Sequence, residues 1–277
     1  MKTQSQENFP VASLLFPRAY RKIITHYYNF ARYCDDIADN STLSSKEKLK
    51  QLHQAEQALF GKEKLACAEA LRQDFLSEKL DFSLVTDLLI AFRQDAQNIP
   101  YKTWAQLLDY CRYSAEPVGR FMLALFNENP STYLPAAALC SVLQLTNHIQ
   151  DLHQDITILN RIYLPEEMLS KYKVSQKSLQ ASECSKSLHS LLNDILKRCR
   201  DLLKDACILP AIVKNRRIKI YLSIILSLTD ILINKLYNAD VLAEHITLSK
   251  SDRIRAIIKG LWLALTTKHK TLTNQGL

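Results

Sequence analysis

Two sets of acidic and amide side chains in this sequence recur at four-residue intervals. Asp35 and Asp39 lie in Arg32-Tyr-Cys-Asp35-Asp36-Ile-Ala-Asp39, and Asn147, Asp151 and Asp155 in Asn147-His-Ile-Gln-Asp151-Leu-His-Gln-Asp155. At 3.6 residues per turn this spacing projects each set from one face of a helix. Like charges so arranged destabilise an isolated helix by about 0.2–0.5 kcal/mol per pair. The flanking Phe30, Ala31, Ile37, Val142, Leu143, Leu145, Ile149 and Leu152 predict that both helices are largely buried. Buried carboxylates need cations or protons to offset their lost solvation.

The donor types narrow the choice of cation. Asp and Asn oxygens without nearby cysteine or paired histidine suit hard ions, Mg²⁺ above all, which keeps several waters and shares phosphate oxygens. His148 and His153 are five residues apart and fall off the carboxylate face, so the tetrahedral nitrogen and sulfur set of zinc is not expected. Two such faces in one helical bundle could hold several Mg²⁺ ions around a diphosphate and stabilise the charge that develops as it leaves carbon. Paired carboxylates working as general acid and base, as in glycoside hydrolysis, would explain neither their number nor the i, i+4, i+8 array.

The elements that must position these residues read as helices. The chain has 277 residues but only four glycines, at 61, 119, 260 and 276, and no Asn-Gly or Asp-Gly turn. Leu, Ala, Lys, Gln and Ile recur at helical spacing, which predicts one all-α domain over residues 1–277. The first strong helix should run from about Arg18, after Pro17, to Asp39, before Asn40-Ser41. Residues 45–78 read as surface helices divided at Gly61, and Phe82 to Asp95 as another apolar face. A helix from about Trp104 to Phe126 contains Pro117 and Gly119, which predict a kink or a local opening that would expose Tyr113 and Arg120 to the middle of the bundle. The uncharged run Asn129 to Gln150 is interrupted by Pro135, Gln144, Asn147 and His148, so it reads as a core helix and not a membrane span. Residues 166–185 read as an amphipathic connection. Pro210 should open a helix enclosed along Ile220 to Ile233, and a last helix should span about Ser251 to Thr267.

Charge and cysteine usage bound the surroundings. The net charge is +8, with 16 Lys and Arg against 7 Asp and Glu from Lys186 onward and 20 against 21 before it. This basic C-terminal third could attract an anionic membrane, an anionic substrate or nucleic acid, or it could be a solvated helix surface. No zinc, helix-turn-helix or RNA-binding signature accompanies it, so a nucleic-acid partner is not expected. Seven cysteines lack any Cys-x-x-Cys pair, and no signal peptide is evident, which favours reduced thiols in a cytoplasmic protein.

The two aspartate motifs, with Tyr113-Ser-Ala-Glu-Pro-Val-Gly119 between them and Arg161-Ile-Tyr163-Leu-Pro165 after, resemble the squalene and phytoene synthase family. Glu7-Asn-Phe-Pro-Val-Ala-Ser13, Tyr110-Cys-Arg-Tyr-Ser-Ala and Asn147-His-Ile-Gln-Asp resemble, more narrowly, its bacterial hydroxysqualene synthase branch in hopanoid biosynthesis. The resemblance implies an isoprenoid synthase helical bundle with a central cavity, in which Asp35, Asp39, Asn147, Asp151 and Asp155 bind Mg²⁺ and the substrate diphosphate. It further implies that Arg32 and Arg161 contact diphosphate, that Tyr113 and Tyr163 line the cavity, and that Phe9 lies at its mouth. Asp36, about 100° around the helix from Asp35, could support the metal ligands from behind or form a salt bridge.

The wider family's two-step synthases carry Arg where this chain has Gln150, a residue that could hydrogen-bond a phosphate oxygen or orient water without supplying charge, or merely pack beside the metal site. The reading that follows is Mg²⁺-dependent conversion of presqualene diphosphate and water to hydroxysqualene and diphosphate. It needs no NADPH, and the chain has no Gly-x-Gly-x-x-Gly fingerprint. The substrate would come from a separate presqualene diphosphate synthase. The long apolar substrate and the basic cluster Lys214, Arg216, Arg217 and Lys219 suggest peripheral contact with an anionic membrane. The alternatives are a squalene, dehydrosqualene or phytoene synthase joining two prenyl diphosphates, or a non-catalytic membrane-associated assembly factor on the same fold, which intact aspartates disfavour.

Overall fold

The computed structural model describes residues 15–270, and in them the chain forms α-helices and no strands. Helix α1 (Arg18–Asp39) starts after Pro17 and stops at Asn40, as its sequence predicts. Its buried stripe, which includes Ile23, Tyr27, Phe30, Cys34 and Ile37, faces α2 (Ser45–Leu59), α3 (Ala66–Ser77) and α4 (Ser83–Gln97). Ser44 and Glu47 form a reciprocal cap at the start of α2, and Gly61 turns the chain toward α3 at φ +78°. These two helices are more than surface cover, since Leu52, Leu59, Leu71 and Phe75 are fully enclosed.

The segment read as one kinked helix is two. Helices α5 (Trp104–Ser114) and α6 (Glu116–Leu125) meet at Ala115, whose φ −129° and ψ −42° leave the helical region. Pro117 has no N–H to donate and its ring conflicts with the carbonyl four residues earlier, so the helix restarts instead of bending. Gly119 then lets α6 approach the next helix, where a Cβ would stand 2.6 Å from Cys140 Sγ.

After a 3₁₀ turn at Pro130–Thr132, α7 (Tyr133–Gln150) runs through the core as the sequence predicts, and α8 (Leu152–Thr157) follows it with one residue between. Short helices α9 (Glu166–Lys171) and α10 (Gln176–Leu179) make the connection over 166–185. Helix α11 (Lys186–Ala206) has no counterpart in the sequence reading, although Leu188, Leu191, Leu192, Ile195, Cys199 and Leu203 mark its buried stripe behind the Ser185 cap. Pro210 opens only α12 (Leu209–Ile212). The enclosed helix α13 (Arg216–Leu236) starts separately, capped by Asn215. Helix α14 (Lys250–Thr266) lies along α13 behind a cap formed by Ser249 and Asp252.

One hydrophobic cluster extends from Phe16 to Ala256 and includes residues from α1, α4, α7, α11 and α13. Among the described residues, no helix is long and apolar enough to cross a membrane.

Candidate active site

The carboxylate faces line one cavity of about 600 Å³. Helix α1 contributes Tyr28, Arg32, Asp35 and Asp39; α7 contributes Gln144, Asn147 and His148; Asp151, Asp155, Arg161 and Tyr163 come from the chain after α7. Helix α7 formally ends at Gln150, yet the amide of Asp151 donates to the Asn147 carbonyl at 2.8 Å and that of Asp155 to the Asp151 carbonyl at 2.8 Å. The four-residue rhythm therefore persists through the junction, and the three side chains stay on one wall.

Each acid on α1 has a guanidinium partner. Arg32 donates to Asp35 at 2.9 Å and also pairs with Asp36 at 2.7 Å, which settles Asp36 as a salt-bridge residue. Arg161 donates to Asp39 at 2.5 Å and to the Ala38 carbonyl at 2.7 Å. Its own amide donates to the Asp155 carbonyl at 2.8 Å, and Asn160 before it sits at φ +52°. Arg161 thus ties the end of α1 to the segment after α8, and its guanidinium holds a carboxylate as well as facing the cavity. On the α7 side histidines stand near the carboxylates. His148 Nδ1 is 3.9 Å from Asp155, and His245 Nδ1 is 3.7 Å from Asp151.

Burial governs the electrostatics. It pushes the Asp35 carboxyl up to about 8, with the charge of Asp39 adding to the effect and Arg32 opposing it. The exposed third of the Asp35 side chain faces the cavity, where a cation could reach it. Asp155 is raised as well, by burial, with His148 working the other way.

Several functional residues escaped the sequence reading. Asp95 of α4 is buried against the cavity and accepts hydrogen bonds from the Tyr110 hydroxyl at 2.9 Å and the Tyr163 hydroxyl at 2.8 Å. Desolvation raises its pKa, against the pull of Arg161 and the two phenols. A signal was available: Asp95 continues the buried stripe Leu84, Leu88, Ala91, where only an apolar residue belongs. His148, expected to point away, lines the cavity and stacks on the Tyr163 ring at 3.7 Å. Ser114, at the break before α6, has a buried Oγ with no hydrogen-bond partner among the described residues.

Three expected side chains lie elsewhere. Tyr113 is not on the cavity wall. Tyr110 and Ser114, one turn apart on α5, take that face, and Tyr113 packs against the core with the Arg112 guanidinium 5.7 Å from its ring. Arg120 pairs with Asp87 at 2.7 Å and does not reach the cavity. Gln150 is 2 % exposed, and its amide donates to the Ile246 carbonyl at 2.5 Å, so it secures the segment before α14 and does not line the cavity. Phe9 lies outside the described residues.

A second, apolar cavity of about 300 Å³ adjoins the first and shares Tyr28, Ala31, Ser114, Gln144 and Asn147 with it. Tyr27, Phe121, Met122, Leu143 and Tyr221 form its deeper walls. An acidic chamber that opens into an apolar one suits an amphiphile with an anionic head and a hydrocarbon tail. Residues 2–252 match the sequence profile of squalene/phytoene synthases.

The chain belongs to the squalene/phytoene synthase family. It is 37% identical over 248 residues to a hydroxysqualene synthase of Rhodopseudomonas palustris, covering 89% of this chain and 85% of the relative. A hydroxysqualene synthase of Sinorhizobium fredii is 38% identical over 245 residues, covering 88% and 84%. Among solved structures, squalene synthase HpnC from Alicyclobacillus acidocaldarius superposes with a TM-score of 0.72 at 27% identity, over 84% of this chain and 89% of that one. The chain is therefore an enzyme with an all-α isoprenoid synthase fold.

The acidic cavity differs from a protein-only metal cage. Among the described residues, three candidate ligands come within 4.8 Å of one another only at Cys184, His189 and Asp240, away from both cavities. There the Asp240 carboxylate already accepts the amides of Cys184, Leu242 and Ala243 at 2.9–3.2 Å. The cavity aspartates are spread more widely, which suits Mg²⁺ ions that complete their shells with water and a ligand's phosphate oxygens.

Proposed function

We propose that this enzyme converts presqualene diphosphate and water to hydroxysqualene and diphosphate, with Mg²⁺ as cofactor and without NADPH. The observation that carries this reading is the acidic cavity opening into an apolar one at Ser114, in a chain whose relatives at 37–38% identity are hydroxysqualene synthases. Asp35, Asp39, Asn147, Asp151 and Asp155 would hold the metal. When bound, Mg²⁺ supplies positive charge that stabilises the departing diphosphate.

The chain's own groups do the rest. Arg32 and Arg161 fix the carboxylates of Asp35 and Asp39, so the anion-binding wall is ordered before substrate arrives. The carbon–oxygen bond to diphosphate breaks and its electron pair leaves with the oxygen. Tyr28, Tyr110, Tyr163 and Phe92 surround the resulting carbocation with aromatic rings. Hydrogen bonds to Asp95 hold the phenols of Tyr110 and Tyr163 in place. After the cyclopropylcarbinyl cation rearranges, the oxygen of one water bonds to carbon and its proton passes to diphosphate or solvent.

Purified protein incubated with presqualene diphosphate and Mg²⁺ should give hydroxysqualene by mass spectrometry, with no change on adding NADPH. Efficient conversion of farnesyl diphosphate to squalene with NADPH would overturn the product assignment.

A further inference from the structure

Helix α14 reverses the usual distribution of side chains on a surface helix. Its inward face carries small residues, Ala256, Gly260 and Ala264, at four-residue spacing. A Cβ on Gly260 would come within 2.6 Å of Ile224 Cα, so α14 and α13 are nearly in backbone contact. The large apolar residues point outward: Ile254, Ile257, Ile258, Leu261, Trp262 and Leu265 are 39–70% exposed. They recur at intervals of one, three and four, which makes a continuous stripe along a helix of about 25 Å. Six of the sixteen exposed large hydrophobic side chains of the described residues fall on this one helix. Single exposed hydrophobics are ordinary on a protein surface, but a stripe of this size marks a docking face.

The charges beside the stripe identify the partner. By the helical repeat, Arg255 and Lys259 flank it on one side and Arg253 on the other. Lys268 and Lys270 follow its end, and all five are exposed. Lys259 pairs with Asp230 at 2.8 Å, while the helix's one acid, Asp252, is buried and paired with Lys235 at 2.7 Å. Lys219 donates to the Thr267 carbonyl at 2.6 Å, so the basic cluster at the start of α13 sits beside the carboxyl end of α14. A second copy of the chain docked on this face would bring these cations against their equals. An anionic bilayer instead accepts the apolar stripe at the level of the headgroups and pairs its phosphates with the flanking cations.

We infer that α14 is a membrane-docking helix that lies flat on an anionic bilayer, with Ile254, Ile258, Trp262 and Leu265 inserted and the basic residues at the headgroups. The loop before it reaches the active site, since the Ile246 carbonyl accepts the Gln150 amide and His245 lies 3.7 Å from Asp151. Docking would therefore hold the acidic cavity close to the surface in which an apolar substrate dissolves. The inference stands apart from the reaction proposed above, because vesicle binding is read without substrate.

In a Trp104→Phe background Trp262 is the sole tryptophan, since the chain has two. Its emission should shift to the blue on adding vesicles of phosphatidylglycerol and phosphatidylcholine, and quench with brominated acyl chains. Sedimentation with those vesicles should weaken as salt rises. Ile258→Ser with Leu265→Ser should weaken binding roughly tenfold or more, and Arg253→Glu with Arg255→Glu at least about fivefold per charge removed, with unchanged helicity. Four outcomes would overturn the inference: equal binding to pure phosphatidylcholine, binding indifferent to both pairs of substitutions, a dimer abolished by Ile258→Ser with Leu265→Ser, or a Trp262 already shielded from acrylamide in the vesicle-free monomer.

Discussion

The two walls of the acidic cavity satisfy their carboxylates differently. On α1, Asp35, Asp36 and Asp39 all meet guanidinium groups at 2.5–2.9 Å, and arginine keeps its charge at any working pH. On the α7 and α8 side, Asp151 and Asp155 have histidines at 3.7 and 3.9 Å, which carry charge only when protonated. The first wall is arranged beforehand by arginine, and Arg161 also ties α1 to the segment after α8. The second depends more on what enters the cavity.

This contrast separates catalytic from structural loss. Asp151→Asn should lower turnover about 10²–10³-fold, the usual cost of removing one group that stabilises transition-state charge, while leaving the thermal midpoint nearly unchanged. Asp39→Asn should lower turnover similarly but also destabilise the fold, because it releases Arg161. Turnover with Mg²⁺ and thermal midpoint, measured on both variants, test the pair. Equal midpoints would break the distinction between the walls.

Removing the cation itself should be felt most on the α1 side. Arg161→Ala leaves Asp39 and the Ala38 carbonyl without their donor, and Arg161 is 6 % exposed. Asp39 keeps some access to water, with 30% of its side chain exposed, so the loss should be about 2–3 kcal/mol and not the full cost of a buried unpaired charge. Urea titration at fixed Mg²⁺ reads it directly. A loss below about 1 kcal/mol would mean that the bridge between α1 and the segment after α8 carries little of the fold.

The α1 wall still lacks enough positive charge, and this should show as a pH dependence in chelator. Asp35 is pushed up to about 8 in the folded protein, whereas an unfolded aspartate titrates near 3.9. Between those values the native state binds more protons, so stability should fall as pH rises from about 5 to 8. A third of the side chain is open to solvent in the cavity, which reduces the slope to the order of 0.5 kcal/mol per pH unit. Mg²⁺ should flatten the slope, and Asp35→Asn should remove it even in chelator. A metal-free slope of opposite sign would show that Arg32 already outweighs burial at this position.

The sequence revealed the walls because their signal is local. Four-residue spacing on a helix fixes which side chains share a face, so Asp35 with Asp39, and Asn147 with Asp151 and Asp155, could be grouped before any fold was known. The helix bounds of α1 were equally local, set by Pro17 and Asn40. What stayed hidden depends on rotation and distance. Tyr113 and Tyr110 differ by three residues on α5, and which one faces the cavity is decided by the apolar stripe of Leu107 and Cys111 and by the break at Ala115. Gln150 stands between two cavity residues in sequence, yet its helical position turns it toward Ile246. Asp95 belongs to neither motif, and it joins the site only because the hydroxyls of Tyr110 and Tyr163 converge on it from other segments.

The smallest expected effect bears most directly on the second wall. His245 is 42% exposed at its side chain and lies 3.7 Å from Asp151, beyond a good hydrogen bond. Exposed ion pairs contribute about 0–1 kcal/mol, and this one exists only when the imidazole is protonated. His245→Gln should therefore change stability by less than about 0.5 kcal/mol. It should also leave the salt dependence of unfolding as it was. Calorimetry on the metal-free protein decides the matter. A loss comparable to that of Arg161→Ala would mean that Asp151, too, is held by a structural pair, and that both walls are built before metal or substrate arrives.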